Sequence, residues 1–310
     1  MTMTAQGEMS YRELHDRYIA VCQARNLSEY TVRFYNISRD NFAKFTDIDA
    51  LKASNINERT MTDYARYLRA RKLRDVTVST YVRGVMPVMR YAMETGDVKP
   101  FKTQRMKSSY EAKQGYTDDE LELLLRKPSK SSFAEYRNWV IDNTLIGTGV
   151  RALELRSLTV KDVDLSQGML LVNRTKNRRP RYVPLSKTLA HILADYLRVR
   201  KAKRDDAYLF CNEFGQFMPR STLQMAVTKY CLKRGVKKYS LHLFRHTFAK
   251  KWILNGGDVF SLQKLLGHSS LKMVGVYVNL FGSDLKRGFD SYCALEGVSA
   301  GKVRERVAMR

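Results

Sequence analysis

The segment SLHLFRHTFAKKW, residues 240–252, holds two of the chain's five histidines with an arginine between them. His242 and His246 have the spacing at which two imidazoles on one helix face bind a metal ion. Leu243, however, stands where a zinc hydrolase of this pattern has glutamate. The fixed cation of Arg245 also disfavours a divalent metal nearby. We therefore predict no metal site in this segment.

The same segment fits two other kinds of helix. An apolar stripe from Leu241 to Trp252 is typical of a core helix, and His246 fits a structural histidine beside that stripe. His242 and Arg245 lie three residues apart and can point together from the start of the helix. Backbone N–H groups and the helix dipole add to their charge there, so this pair predicts an anion-binding site.

A second candidate anion ligand is Arg151, in the segment GTGVRALELRSL. We expect a helix to start here after a glycine-flanked bend. The helix dipole disfavours a cation in the first turn, and a bound anion would remove this conflict. Glu154, three residues later, can hold the guanidinium in place. By itself, this pattern fits an ordinary surface arginine equally well.

A third cluster is the predicted hairpin tip NRTKNRRPRYVPL, which contains no acidic residue. Such a run of cations fits contact with a phosphate backbone. Lys176 lies in this predicted hairpin tip, from which its side chain could reach the anion-binding site and donate a proton. Lysines of the segment after the first predicted domain extend the basic surface. The predicted DNA-contacting residues are Arg174, Arg178, Arg179, Arg181, Lys99 and Lys102.

Near the C-terminus, LLGHSSLKMVGVYVNL places Gly267 at the end of one helix and His268 in the corner that follows. Tyr277 comes on the next short helix. A single tyrosine among 18 is a weak candidate for a nucleophile. The order of the motifs along the chain is therefore stronger evidence than this tyrosine alone.

The charge balance narrows the function classes, because Lys and Arg number 55 against 31 Asp and Glu, a formal net charge of +24. Self-repulsion makes this excess costly, so we expect a polyanionic partner, of which nucleic acid is the common one. No apolar run approaches the ~20 residues of a membrane span, and MTMTAQGEMS does not resemble a secretory signal. We expect a cytoplasmic protein without membrane contact. Its four scattered cysteines predict buried free thiols.

Hydrophobic periodicity predicts a mainly α-helical protein with a small antiparallel β-sheet. Residues 1–97 are predicted to form four helices, and residues 98–115 a basic interdomain linker. Residues 116–282 combine further helices with the sheet. Residues 283–310 are predicted to form a tail helix and a basic end.

Taken in chain order, the motifs are TGVRALEL, a basic hairpin with a lysine, HLFRH, LGHSS, and a tyrosine nine residues after that histidine. This order and spacing resemble the tyrosine recombinase (phage integrase) family. The four-helix front resembles the core-binding, DNA-binding domain of that family, so the similarity spans nearly the whole chain. The resemblance implies a mixed α/β catalytic domain of the tyrosine recombinase type after the linker.

The resemblance also implies roles for single residues. Tyr277 would be the nucleophile that attacks a DNA phosphodiester. Arg151 and Arg245 would bind the non-bridging oxygens and supply the positive charge that a metal supplies elsewhere, so no cofactor is expected. Lys176 would protonate the leaving 5′-oxygen as general acid.

Three further residues complete the implied site. His242 and His268 would hydrogen-bond the phosphate and assist proton transfer from the tyrosine, and Glu154 would orient the first arginine. The chain departs from the family in two places. Neither the threonine that often precedes the nucleophile nor the histidine two residues after it is present, and Asn279 stands at the latter position. Neither departure removes an implied catalytic atom.

The resemblance implies a site-specific recombinase that cleaves and rejoins DNA strands through a 3′-phosphotyrosyl intermediate. Its task would be to integrate or excise a mobile element, or to resolve DNA dimers. A homotetramer on paired double-stranded sites is expected, with the tail helix packed on a neighbouring subunit. Two alternatives stand beside this prediction. One is a catalytically inactive DNA-binding architectural or regulatory protein of the same fold, and the other is a type IB topoisomerase-like enzyme.

Overall fold

The computed structural model describes residues 9–102, 114–129, 132–173, 179–268, 270–271 and 275. This part of the chain is mainly helical with one three-stranded antiparallel sheet, which confirms the predicted fold class. Contacts divide the chain into two units, residues 1–111 and 112–310. The predicted boundaries after residues 97, 115 and 282 remain predictions. Four predicted site residues and the predicted tail lie outside the described residues: Arg174, Lys176, Arg178, Tyr277 and 283–310.

The described part of the first unit contains four α-helices, as predicted. Local sequence explains where they begin, since the Ser10 side chain accepts from Glu13 N and the Glu13 carboxylate accepts from Ser10 N, a capping box. Aromatic side chains fill the centre, with the ring centroid of Phe42 4.8 Å from Tyr11 and 4.9 Å from Tyr64. The helices are α1 (Tyr11–Ala24), α2 (Glu29–Ala43), α3 (Glu58–Ala70) and α4 (Asp75–Thr95).

The second unit is mixed. Its first helix starts with a capping box of Thr117 and Glu120. In the sheet, the middle strand pairs with both neighbours, and Val172 lies opposite Arg181. The helices are α5 (Asp118–Leu125), α6 (Phe133–Thr148), α7 (Ala152–Ser157), α8 (Lys187–Arg200), α9 (Arg220–Lys233), α10 (Leu241–Leu254) and α11 (Val259–Leu266), and the strands are β1 (Val163–Asp164), β2 (Met169–Val172) and β3 (Arg181–Pro184).

Helix α6 is the centre of the second unit, because α5, α8, α9 and α10 all pack against it. Val140, Ile141 and Leu145 on this helix are fully buried. A helix that is buried on most sides has a fixed position, and its end can therefore place a functional loop reliably. Three cysteines of the described residues are buried free thiols, as predicted: Cys22, Cys211 and Cys231.

Across the described residues, no helix combines the length and the apolarity needed to cross a membrane.

Asp142 is an exception in the core of α6, because its side chain is fully buried. Neither carboxylate oxygen has a hydrogen-bond partner among the residues that the structure describes. Burial raises the pKa of Asp142 well above its ordinary value, and the charge of Arg234 lowers it only in part. The protonated carboxyl group is therefore the form that this core accommodates.

We predict that Asp142→Asn stabilises the protein at neutral pH by about 1–3 kcal/mol, because the amide is neutral without the proton that the wild-type carboxyl group must take up on folding. The folded-state pKa is raised, so the wild-type protein loses stability as the pH rises above about 4, the ordinary pKa of a carboxyl group. Thermal unfolding from acid to neutral pH should show that the Tm of the variant exceeds that of the wild-type protein by an amount that grows with pH. A difference in Tm that is equal at all pH values would contradict the prediction.

Candidate active site

The end of α6 brings two distant segments together. Gly149 ends this helix with a φ of 63°, a conformation that favours glycine. A Cβ atom at Gly149 would collide with the ring of Phe248 on α10. The Gly149 carbonyl accepts a hydrogen bond of 2.8 Å from Nη1 of Arg245, also on α10. The loop after α6 therefore leads directly to Arg151 at the start of α7.

Arg151 and Glu154 form the contact that the sequence predicted between them. Nη1 of Arg151 donates to Oε1 of Glu154 at 3.0 Å, and the backbone N of Arg151 donates to Oε2 at 2.8 Å. The guanidinium reaches further, to the carbonyl oxygens of Leu266 at 3.2 Å and Gly267 at 3.4 Å. Its side chain is 21% exposed, so one part of it still faces solvent.

Arg245 approaches the same end of α11 from α10. Its Nη2 donates to the carbonyl of Leu266 at 2.7 Å, and the residue is 3% exposed. One carbonyl oxygen thus accepts from both Arg151 and Arg245. The C-terminus of a helix carries roughly half a negative charge, which stabilises the two cations beside each other.

His268 lies in the corner after α11, as predicted. Its backbone N donates to the carbonyl of Gln263 at 3.1 Å, and Nε2 of Gln263 donates back to the His268 carbonyl at 3.2 Å. The ring Nε2 is 2.7 Å from Nη2 of Arg245. A guanidinium can only donate, so this ring nitrogen accepts and the proton of the neutral imidazole is on Nδ1.

Electrostatics favour the same protonation state. Burial, followed by the charges of Arg245, Arg151 and Arg181, lowers the pKa of His268 to about 4. The ring is therefore neutral at physiological pH in the site without DNA. A neutral imidazole has one lone pair that can accept a proton, and in this site Nη2 of Arg245 occupies it.

His242 is an exposed residue in the first turn of α10, three residues before the buried Arg245. The predicted core face of this helix is present, since Leu241 and Phe244 are buried. His246 is partly buried on the same helix.

Arg181 is placed differently from the prediction. Nη1 and Nη2 of its guanidinium donate to the two oxygens of Glu154 at 3.0 and 2.8 Å, and the side chain is 11% exposed. This position does not fit a phosphate-tracking side chain, because the guanidinium is already bound to a buried carboxylate. Arg179, by contrast, is exposed.

Strand alternation was the signal that could have identified this placement. Val183 is 1% exposed and Tyr182 is 65% exposed, so Arg181 shares the inner face of β3 with Val183. The backbone carbonyl of Leu266, in contrast, has no sequence signal. The structure thus brings together Arg151, Glu154, Arg245, His268 and Arg181. Lys99 and Lys102 are exposed residues of the first unit.

This cluster can bind an anion. The cluster has three guanidinium groups and one carboxylate, Glu154, which binds two of them, and this leaves an excess of positive charge. Planar guanidinium groups match the oxygens of a phosphate, and backbone carbonyls hold them in place before a ligand arrives.

Comparison with known proteins gives a family for this geometry. Residues 115–283, more than half of the chain, match the phage integrase family. The chain belongs to the phage integrase family. Residues 13–107, which contain most of α1 and all of α2 to α4, match the phage integrase SAM-like domain. The resemblance that the motifs carried is confirmed.

Relatives of this integrase-family chain match over most of its length. Tyrosine recombinase XerC of Thermodesulfovibrio yellowstonii is 28% identical over 277 residues, which cover 86% of this chain and 89% of the relative. Tyrosine recombinase XerD of Listeria monocytogenes is 26% identical over 274 residues, covering 84% and 92%.

Solved structures share the integrase fold. A Tn1549 transposon integrase in complex with a circular intermediate DNA has a TM-score of 0.72 at 17% identity, covering 92% of this chain and 100% of that chain. The XerH site-specific recombinase bound to its palindromic difH substrate has a TM-score of 0.71 at 21% identity, covering 90% and 84%.

We predict that His268 in the protein without DNA stays neutral down to about pH 5. A histidine with the ordinary pKa of about 6.5 would be protonated at that pH. NMR of the ring Cε1–H should give a midpoint near the lowered pKa of about 4. Arg245→Ala should raise the His268 pKa, because one of the neighbouring cations is lost. A wild-type midpoint near the ordinary value would contradict the account of this site.

Proposed function

We propose that this chain is a site-specific DNA recombinase that cleaves and rejoins strands through a 3′-phosphotyrosyl intermediate. The observation that carries the proposal is the meeting of Arg151 and Arg245 on the carbonyl of Leu266 in a phage integrase chain. Two adjacent guanidinium groups match the two non-bridging oxygens of one phosphodiester. They place positive charge where the transition state gains negative charge.

In the proposed reaction, the phenolic oxygen of Tyr277 attacks the scissile phosphorus and the bond to the 5′-oxygen breaks. The phenolic proton passes to the neutral imidazole of His268 once its Nε2 releases Arg245 to the phosphate. The negative charge of the phosphate offsets the cations that lower the pKa of His268 in the protein without DNA. Lys176 protonates the leaving 5′-oxygen, and His242 hydrogen-bonds the phosphate from the start of α10. Attack by the 5′-hydroxyl of a partner strand reverses these steps. The phosphotyrosine bond keeps the energy of the broken phosphodiester bond, so no ATP is consumed.

Double-stranded DNA is the proposed partner. The net charge of +24 and the exposed Lys99, Lys102 and Arg179 support contact with phosphates. Exchange between two duplexes cuts four strands, and one tyrosine serves each strand. The proposal therefore includes a homotetramer on paired sites, with the tail 283–310 packed on a neighbouring subunit.

Covalent trapping tests the proposed chemistry. Nicked duplexes from genomic or element-end DNA, incubated with the protein and EDTA, should give a denaturant-resistant adduct. Peptide mass analysis should place the adduct on Tyr277. The variant Tyr277→Phe should form no adduct and keep its DNA affinity, because only one hydroxyl group is removed.

The matched control for this experiment is Tyr239→Phe, since Tyr239 is an exposed tyrosine of the same unit. This variant should form the adduct at the wild-type level. An undiminished adduct in Tyr277→Phe would contradict the proposed nucleophile. DNA binding by the wild-type protein without any adduct would favour the inactive DNA-binding protein.

Salt dependence tests the phosphate contacts. The logarithm of the binding constant should fall linearly with the logarithm of salt concentration, by roughly 0.9 per phosphate neutralised. Lys99→Ala, Lys102→Ala and Arg179→Ala should each reduce this slope by about 0.9. Fluorescence anisotropy with a labelled duplex measures the slope.

The control for the salt series is Arg198→Ala, because Arg198 pairs with Asp195 at 3.1 Å on the exposed surface of α8. Its slope should equal that of the wild-type protein. Unchanged slopes in all three lysine and arginine variants would remove these residues from the DNA contact.

A further inference from the structure

Arg181 makes three directed hydrogen bonds in the cluster beneath the proposed site. Its two terminal nitrogens bind the two oxygens of Glu154, and its Nε donates to the carbonyl of Leu265 at 2.7 Å. The Glu154 side chain is 1% exposed. A two-pronged pair of this kind fixes the plane of both groups, unlike a single ion pair at the surface.

Glu154 joins this arginine to the first arginine of the proposed phosphate clamp. Its Oε1 accepts from both Arg181 and Arg151, each at 3.0 Å. Its Oε2 accepts from Nη2 of Arg181 and from the backbone N of Arg151, each at 2.8 Å. The carboxylate cannot rotate without breaking several of these bonds. The orientation of Arg151 therefore depends on how Arg181 holds Glu154.

The ionisation of Glu154 also depends on Arg181. Burial raises the pKa of Glu154, but the hydrogen bonds and charge of Arg181, followed by those of Arg151, hold it below the ordinary value. Arg181 thus does more than Arg151 to keep this carboxylate ionised. His268 is a further titratable group that interacts with Glu154. An ionised carboxylate is the form that binds a guanidinium strongly.

The second contact of Arg181 is with the corner that carries His268. Gly267 has a φ of 61°, and a Cβ atom there would lie 3.1 Å from Nη1 of Arg181. The guanidinium is thus packed against the backbone of this turn while its Nε holds the preceding carbonyl of Leu265. Arg181 also stands opposite Val172 at the base of the hairpin that contains Lys176.

We infer that Arg181 is a positioning residue for strand cleavage, which orients Arg151 through Glu154 and the His268 corner through Leu265. This inference rests on the proposed recombinase function. Arg181 contributes no bond to the phosphate itself. It links three segments of the proposed site: the start of α7, the end of α11 and the base of the hairpin.

The test measures binding and cleavage separately, with a nicked duplex at saturating protein. Arg181→Ala should lower the single-turnover rate of adduct formation by about 100-fold, the loss expected from a small misplacement of a catalytic group. DNA affinity and the salt slope should stay within about twofold of wild type, because no phosphate contact is lost. Arg181→Lys keeps the positive charge but lacks the two-pronged guanidinium, so it should restore part of the cleavage rate that Arg181→Ala loses.

A double-mutant cycle with Glu154→Gln tests the route of the effect. If Arg181 acts through Glu154, the double variant should be about as slow as either single variant. A double variant whose rate of adduct formation falls by the product of the two single losses would contradict action through Glu154. Arg198→Ala, with its exposed pair, serves as the control for loss of one arginine.

Each remaining outcome also decides the inference. A shallower salt slope and weaker binding at an unchanged cleavage rate would make Arg181 a phosphate contact and overturn the inference. If Arg181→Ala does not fold, Arg181→Lys carries the test with the same readouts, and a wild-type cleavage rate in it would overturn the two-pronged positioning. Absence of an adduct with wild-type protein would instead contradict the proposed function, and the inference would fall with it.

Discussion

The structure of the site depends on one shared set of acceptors, the carboxylate of Glu154 and the last carbonyl groups of α11. Arg151 at the start of α7, Arg181 at the start of β3 and Arg245 within α10 all donate to this set. Each arginine comes from a different element. The acceptors therefore determine both where the guanidinium groups lie and how α7, β3, α10 and α11 meet.

The balance of charge in this set explains its suitability for phosphate. Three neighbouring cations repel one another, and burial of each would be costly without acceptors. One carboxylate and the partial charge of a helix end compensate only in part, so positive potential remains for an anion. The same cations lower the pKa of His268 to about 4 and keep its ring neutral. The positive charge that suits a phosphate thus also keeps the His268 ring neutral while no anion is bound.

Part of this arrangement could be predicted from sequence. Helix α10, the capping box of Thr117 and the Arg151–Glu154 contact follow from local spacing, which the sequence contains. The role of the Leu266 carbonyl could not be predicted, because a backbone acceptor has no residue type. The basic hairpin suggested that Arg181 faces solvent, although strand alternation places it inside. Asp142 was also missed, since a polar residue in a helix does not reveal the burial of its face.

Arg151 and Arg245 are held in place by backbone and carboxylate acceptors before DNA arrives. Guanidinium ¹⁵N NMR of the protein without DNA can detect this restraint, because rotation about the Cζ–N bonds averages the signals of an unrestrained arginine. Lysine substitutions at each position would assign the signals. Separate, slowly exchanging Nη signals for Arg151 and Arg245 would agree with the account. Averaged signals like those of exposed arginines would contradict it.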